Sequence, residues 1–252
     1  MKKLILFSAI LIFFFWKKKK KKQAEPVHGS EAVLIVNYQL DNMSLEEHAE
    51  LGSAVAPSFV SENVPGLLGK SFIGDVNRGV FGGVYYFENS ESVTTYLDSE
   101  LWKGVVAHPN LVEFKTDVFK TFNGTELANG VHSSRKTSSD TADTENLHIL
   151  VVNYTYTEAP TDEEMSSQIK EFAPVFSNEN FPGMIGKTMI NNTEDKVYGG
   201  VYYFTSRDAI ENYFQSDLWK GFEGDKNTDV YKKDIYGVAS ISTISNGVPV
   251  LD

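Results

Sequence analysis

Two lysines lie in apolar stretches of sequence where an amine would have unusual chemistry. Alternate residues of a β-strand face the same side of its sheet, so Lys70 is predicted to share a face with Leu68 and Phe72. Lys187 lies in a similar stretch, "GMIGKTMI". An amine in a hydrophobic cavity has a lowered pKa, and it can bind an enolate oxygen there. Lys70 and Lys187 are therefore candidate catalytic residues.

Two asparagines, Asn37 and Asn153, are predicted to have apolar neighbours on their strand faces in the same way. Burying an amide without a partner costs roughly several kcal/mol, so each asparagine is a candidate to hydrogen-bond a substrate carbonyl. The predicted site has Asn37, Lys70 and Tyr86 in one cavity and Asn153, Lys187 and Tyr203 in another. The further candidates for substrate binding are Phe72, Trp102 and Trp219. In the alternative interpretation, the lysines point to solvent, the asparagines satisfy backbone groups, and the tryptophans only pack.

Several other chemistries have no support in the sequence. The chain has no cysteine, which excludes disulfides, thiolate metal sites and cysteine nucleophiles. None of its five histidines has the spacing of a metal ligand. No glycine-rich phosphate loop, nucleophile elbow or kinase signature is present. We therefore expect no metal and no cofactor.

The candidate residues recur because most of the chain is a duplication. The hexapeptide "GGVYYF" occurs at Gly82–Phe87 and again at Gly199–Phe204. When Ala56–Phe119 is aligned with Ala173–Tyr236, 26 of the 64 positions are identical. A repeat of this length is a domain rather than a solenoid unit, so we interpret the chain as two tandem copies of one domain.

Each copy shows the element order βαββαβ of a ferredoxin-like unit, which is an α+β fold. A capping box marks the start of the first helix at Ser44–Glu47, and again at Thr161–Glu164. Helices cover one face of such a sheet, so two copies packed face to face would form an intrachain dimeric α+β barrel. The predicted segments are 1–22 signal-like or anchor-like, 23–30 linker, 31–123 first domain, 124–146 linker, 147–246 second domain, and 247–252 tail.

The N-terminal segment differs in charge from the rest of the chain. The net charge is −11, although residues 1–22 contain eight lysines and no acidic residue. An acidic body repels phosphate backbones, so nucleic acid is not an expected partner. The apolar run Leu4–Trp16 is too short for a typical transmembrane helix, and six lysines follow it. We expect membrane or cell-envelope association through residues 1–22, with a cytoplasmic location as the alternative.

The motifs "PGLLGK…GGVYYF" and "PGMIGK…GGVYYF" resemble those of the YdhR-type putative monooxygenases, a family of the dimeric α+β barrel superfamily. The resemblance covers nearly all of both copies. Members of the family are described as single-domain chains that dimerise, whereas here both halves are fused in one chain. It implies a cofactor-independent oxidation of a small aromatic or quinol-like substrate. A binding protein that holds a small apolar or aromatic ligand without turnover, and a structural module of the envelope, are the alternatives. Because both halves are in one chain, a single chain could form the complete barrel as a monomer.

Overall fold

The computed structural model describes residues 31–121, 146–172, 175–240 and 242. Within them, each copy contains four strands and three α-helices. The strands are β1 Ala32–Leu40, β2 Leu67–Asp75, β3 Val80–Phe87, β4 Leu111–Thr121, β5 His148–Tyr156, β6 Met184–Asn192, β7 Val197–Phe204 and β8 Thr228–Val238. The helices are α1 Leu45–Val55, α2 Ser90–Leu97, α3 Glu100–Val106, α4 Asp162–Phe172, α5 Arg207–Phe214 and α6 Asp217–Glu223. The predicted order βαββαβ is confirmed in both copies, with one additional short helix, α3 or α6, before the last strand.

The helices begin where the sequence provides side-chain caps. The backbone N–H of Glu47 donates to Ser44 Oγ at 3.2 Å, and the backbone N–H of Ser44 donates to the Glu47 carboxylate at 2.8 Å. Thr161 and Glu164 form the same reciprocal pair at 3.3 and 2.9 Å. Each pair satisfies a donor that the first helical turn would otherwise leave without a partner. Both predicted capping boxes are therefore present.

The eight strands form one antiparallel sheet that closes in the order β1-β3-β2-β8-β5-β7-β6-β4. Each copy supplies four neighbouring strands. The copies meet at two short junctions, where β2 pairs with β8 through Ile73 and Val238, and β4 pairs with β6 through Thr121 and Ile190. The fold is therefore the predicted α+β architecture of two ferredoxin-like units in an intrachain dimeric barrel.

Ion pairs also connect the two copies. The guanidinium of Arg78 binds Asp75 within its own copy at 2.5 Å and reaches Asp234 of the other copy. Lys232 reaches Asp117 at 3.3 Å. All of these groups are partly exposed, so each pair contributes little free energy. The apolar interior must supply most of the attraction between the copies.

Three apolar clusters fill the molecule. The first lies inside the barrel and combines both copies, with Val84 and Tyr86 from one and Val201 and Tyr203 from the other. The second and third lie between the sheet and the helices of each copy. Adjacent strand residues alternate between these layers, so Tyr86 faces the interior while its neighbour Tyr85 faces the helices.

Several sequence predictions fall on residues outside the described part of the chain. These are the segment 1–22, the linker 23–30, most of the linker 124–146, and the tail 247–252. Among the described helices, none is long and apolar enough to cross a membrane.

The first glycine of each "GGVYYF" motif allows β3 and β7 to approach the neighbouring strand closely. A Cβ atom at Gly82 would lie 1.8 Å from the carbonyl oxygen of Val36, and one at Gly199 would lie 2.2 Å from that of Val152. Backbone atoms of a paired strand cannot move aside as a flexible side chain can. Glycine is therefore required at this position by the strand spacing.

We predict that Gly82→Ala lowers the free energy of unfolding by about 3 kcal/mol or more, because its methyl group overlaps the backbone of β1. Gly104→Ala is the matched control. A Cβ at Gly104 meets nothing within 4 Å, and alanine in a helix interior is favoured over glycine by roughly 0.5–1 kcal/mol. Urea unfolding of both variants measures the difference. Equal stability of the two variants would contradict the proposed backbone contact.

Candidate functional site

Lys70 is buried between the sheet and the segment that connects α1 to β2. Its ammonium nitrogen lies 3.5 Å from the ring centroid of Phe59, 3.8 Å from that of Phe72 and 4.5 Å from that of Tyr85. Only 5% of the residue is exposed. We call Lys70 with these three rings the Lys70 cage.

The second copy repeats this arrangement with one ring fewer. Lys187 Nζ lies 3.4 Å from the ring centroid of Phe176 and 4.5 Å from that of Tyr202. Met189 stands at the position that corresponds to Phe72. We call Lys187 with Phe176 and Tyr202 the Lys187 cage. Two copies that differ at many positions both keep a buried lysine beneath aromatic rings.

The second glycine of each "GGVYYF" motif makes room for the lysine side chain. A Cβ at Gly83 would lie 2.8 Å from Lys70 Cε and 2.8 Å from a ring carbon of Tyr85. One at Gly200 would lie 3.1 Å from Lys187 Cε. The sequence pattern does not link these glycines to the lysines, because each glycine and its lysine are neighbours only across paired strands.

Burial lowers the pKa of both lysines well below the ordinary value, and desolvation is its cause in each case. The ring faces attract a cation, but such contacts contribute only about 0.5–2 kcal/mol. Desolvation disfavours the charged form of the amine, so burial favours loss of its proton. A neutral amine can accept a proton from a bound phenol or activated C–H group. The ammonium that results would then stabilise the substrate anion beside it.

The predicted grouping of Lys70 with Asn37 and Tyr86 in one cavity is wrong, and so is the equivalent grouping of Lys187, Asn153 and Tyr203. Lys70 faces the helices, whereas Tyr86 faces the barrel interior. Bulges in β2 between Leu67 and Gly69 and in β6 between Met184 and Gly186 are the cause. The bulge in β2 leaves Leu68 inside the barrel and turns Lys70 outward. Lys70 and Phe72 do share a face, as expected.

The barrel interior holds a separate set of hydroxyl groups. Tyr203 and Ser71 are hydrogen-bonded at 3.0 Å between their oxygens, across the two copies. The hydroxyls of Tyr86 and Thr188 are buried and interact with each other, but neither forms a hydrogen bond of normal geometry among the described residues. Burial raises the pKa of Tyr86 to about 12, so this phenol remains protonated at neutral pH. The interior tyrosines can donate hydrogen bonds, but they are poor proton acceptors.

Asn37 and Asn153 also lie on strand faces directed into the barrel, in line with Ile35 and Val151. The Oδ1 atoms of both asparagines are buried and have no hydrogen-bond partner among the described residues. Each amide oxygen is therefore available to accept a hydrogen bond. The structure does not bring either one to a lysine cage.

The two tryptophans occupy different environments. Trp219 is 2% exposed, and its indole N–H donates to Glu223 at 3.1 Å. Trp102 is only half-buried and lines a groove on the surface. Both pack against a tyrosine, Tyr96 in copy one and Tyr213 in copy two. The predicted role of the tryptophans in substrate binding stays a prediction.

One polar pair was missed by the sequence analysis. The Tyr38 hydroxyl and His48 Nε2 are 2.8 Å apart, and the His48 ring packs on Phe81. Burial lowers the pKa of His48. Copy two has no histidine at the corresponding position, so this pair is specific to copy one. No group of three His, Cys, Asp or Glu side chains that could hold a metal ion occurs in the ranges that the structure describes.

The fold and the paired lysine cages define a tandem α+β barrel protein with two related sites. Each half matches the family model described as "Putative mono-oxygenase ydhR", at residues 33–130 and 149–248. The chain belongs to this family, and this membership supports a monooxygenase-like function. The resemblance noted in the sequence is thereby confirmed. No curated protein matches the chain.

Solved structures of similar architecture extend over most of the chain. A putative monooxygenase from Lactobacillus acidophilus NCFM is 12% identical, covers 88% of this chain and 100% of its own, and has a TM-score of 0.52. One from Fusobacterium nucleatum is 10% identical, with 89% and 98% coverage and a TM-score of 0.54. An anthrone oxidase-like protein is 12% identical, with 85% and 94% coverage and a TM-score of 0.53. At these identities the likeness establishes the fold.

Because both lysines are buried, we predict that the free energy of unfolding depends on pH. Their pKa values in the folded chain lie well below the 10.5 of an ordinary lysine, so the unfolded chain binds more protons between those two values. Stability therefore rises with pH in that window, by up to about 1.4 kcal/mol per pH unit for each lysine. Urea unfolding from about pH 7 to about pH 9.5 should show this slope, and Lys70→Met/Lys187→Met should largely remove it. An unchanged slope in the double variant would show that the amines are not buried as described.

Proposed function

We propose that this protein is a cofactor-independent monooxygenase that oxidises a small aromatic or quinol-like substrate. The observation that carries the proposal is the buried lysine amine beneath aromatic rings, present once in each copy. Membership of the monooxygenase family supports the reaction class. The anthrone oxidase-like neighbour favours a fused-ring substrate with an acidic O–H or C–H group.

The proposed reaction begins with proton transfer to the neutral amine of Lys70 or Lys187. A phenolic O–H or activated C–H loses its proton, and the ammonium ion remains beside the substrate anion. At low dielectric this attraction is strong, so the anion is stabilised where it forms. The ring faces around the lysine would hold a flat substrate by stacking and would exclude water.

The electron-rich anion then reacts with O₂ directly. For a substrate whose reacting group is a CH₂ beside two aromatic rings, CH₂ becomes C=O while O₂ supplies one oxygen to the product and one to water. The four electrons lost by carbon are the four gained by O₂. The reaction therefore balances without an external reductant. The protein supplies the base, the apolar surroundings and the orientation.

A ligand-binding protein without turnover is the second candidate. The lysine amines are nearly inaccessible, since the residues are only 5% and 7% exposed. An enclosed apolar site of this kind could hold an aromatic ligand by stacking without any reaction with O₂. In that case residues 1–22, with an apolar run next to six lysines, would attach the barrel to an anionic lipid surface of the cell envelope.

Oxygen uptake distinguishes the two candidates. The full chain, treated with chelator, is offered hydroquinones, anthrones and catechols in an oxygen electrode. We predict saturable uptake with no added cofactor, and a loss of at least about 100-fold in Lys70→Met/Lys187→Met, because the proton acceptor is removed.

Lys220→Met is the matched control, since Lys220 is exposed on α6, and it should retain parental activity. Binding of these compounds without any uptake would favour the ligand-binding candidate. Full activity in the double lysine variant would reject the lysines as proton acceptors.

A further inference from the structure

The two copies differ at the surface beside α2 and α3, although they agree around the lysines. Copy one has an open groove of about 360 Å³ at this surface. Its lining residues are Leu97, Trp102, Lys103, Val106 and Ala107. We call it the Trp102 groove. Val106 is 42% exposed there, so part of an apolar surface is accessible from solvent.

A series of ring contacts connects the Trp102 groove to the Lys70 cage through Trp102 and Tyr96. The centroid of Tyr96 lies 5.6 Å from that of Trp102. It also lies 5.5 Å from that of Tyr85 and 6.4 Å from that of Phe59, which are two rings of the cage. Movement of the Trp102 and Tyr96 rings would therefore be needed to join the groove to the amine of Lys70.

Tyr96 also has a buried hydroxyl that is poorly satisfied. The residue is 1% exposed, and its hydroxyl interacts with that of Tyr85 without forming a hydrogen bond of normal geometry among the described residues. A buried hydroxyl that makes no hydrogen bond is costly. A ligand with an oxygen near this ring would remove that cost.

In copy two the corresponding surface is covered. Trp219 is buried, its indole N–H donates to Glu223, and Glu223 forms an ion pair with Lys233. The Lys233 ammonium lies 5.7 Å from the centroid of the Trp219 ring. These two charged side chains extend across the tryptophan.

Copy one cannot form this cover. Val106 stands at the position of Glu223, and Thr116 stands at the position of Lys233. Neither side chain is charged. The charged pair therefore distinguishes the buried Trp219 from the half-buried Trp102, together with Phe214 and Phe222, which pack on Trp219 at centroid distances of 4.8 and 5.7 Å where copy one has Leu97 and Val105.

The groove offers an apolar surface to a flat aromatic molecule. It is a shallow, open depression whose wall combines an indole ring with aliphatic side chains. An aromatic ring would stack on Trp102, and an oxygen substituent would reach the Tyr96 hydroxyl only after the Trp102 and Tyr96 rings move.

We propose that aromatic substrate enters through the Trp102 groove to Lys70, and that the Glu223–Lys233 pair closes the equivalent entrance in copy two. This inference rests on the proposed function for the identity of the ligand as a substrate. The prediction that the entrance is open in copy one and closed in copy two does not depend on that function. The groove is open in copy one, and the Glu223–Lys233 pair helps to close the equivalent surface in copy two.

The test uses the repeat as its own control. The probe is 1,4-dihydroxynaphthalene under anaerobic conditions, and calorimetry gives the number of molecules bound per chain. The parent should bind one. Glu223→Val/Lys233→Thr, which gives copy two the residues of copy one, should bind two. Val106→Glu/Thr116→Lys should bind at least about tenfold more weakly.

Tryptophan fluorescence identifies the occupied copy. In a Trp16→Phe/Trp219→Phe background, which leaves the Trp102 groove intact, the probe should quench the emission of Trp102 with the affinity that calorimetry gives. Thermal unfolding checks that each variant is folded. Val106→Phe, which fills the groove with a single apolar side chain, replaces the charged closing variant if that one unfolds.

The outcomes separate this inference from the proposed function. Two equal sites in the parent, or unchanged binding in both closing variants, would overturn the inference whatever the activity. If oxygen uptake is found, Lys70→Met should abolish it and Lys187→Met should leave most of it. Equal losses in the two single variants would overturn the inference and leave the monooxygenase proposal intact. If the parent binds one probe molecule and Glu223→Val/Lys233→Thr binds two, but no oxygen uptake is found, the inference stands and the monooxygenase proposal is overturned.

Discussion

Each four-stranded sheet of this protein is apolar on both faces, and this constraint shapes the whole molecule. The helices of a copy cover one face only. Residues such as Val84 and Tyr86 on the other face are fully buried only because the second copy supplies Val201 and Tyr203 opposite them. Burying such a side chain contributes roughly 1.5–3 kcal/mol, far more than the exposed ion pairs at the junctions. Fusion in one chain keeps the two faces at a high effective concentration.

The second constraint is the burial of an amine on the helix-facing side of each sheet. It requires a glycine on the neighbouring strand, a bulge that turns the lysine outward, and aromatic rings above the nitrogen. Gly83 and Gly200 meet the first requirement at the same position of the repeat. A lysine kept only for solubility needs none of these features. Their presence in both copies is why the proposed chemistry is assigned to the lysine cages rather than to the barrel interior.

The two copies differ in residues near the surface, whereas the residues around the two buried lysines are similar. The Tyr38–His48 pair occurs only in copy one, and the Glu223–Lys233 pair covers only Trp219 in copy two. Closure of the barrel depends on the interior residues, so changes at the rim cost little stability. A duplicated domain can therefore close one entrance while both halves continue to support a single fold.

The amino-acid sequence by itself determined the duplication, the order of elements, the capping boxes and the barrel. These follow from local patterns, namely strand alternation, helical caps and a repeat that can be aligned by inspection. It also identified Lys70 and Lys187 as unusual, because an isolated charge in an apolar strand is visible in one dimension. Only the tertiary structure decided which face each lysine occupies. A single bulged residue reverses the alternation. Gly69 inside the strand is a residue typical of bulges, but a glycine by itself does not specify that the strand is bulged there or which side chains change face. The pairing of Gly83 with Lys70 and the covering of Trp219 by Lys233 were likewise decided in three dimensions, because each joins residues that are distant along the chain and meet only when the strands pair.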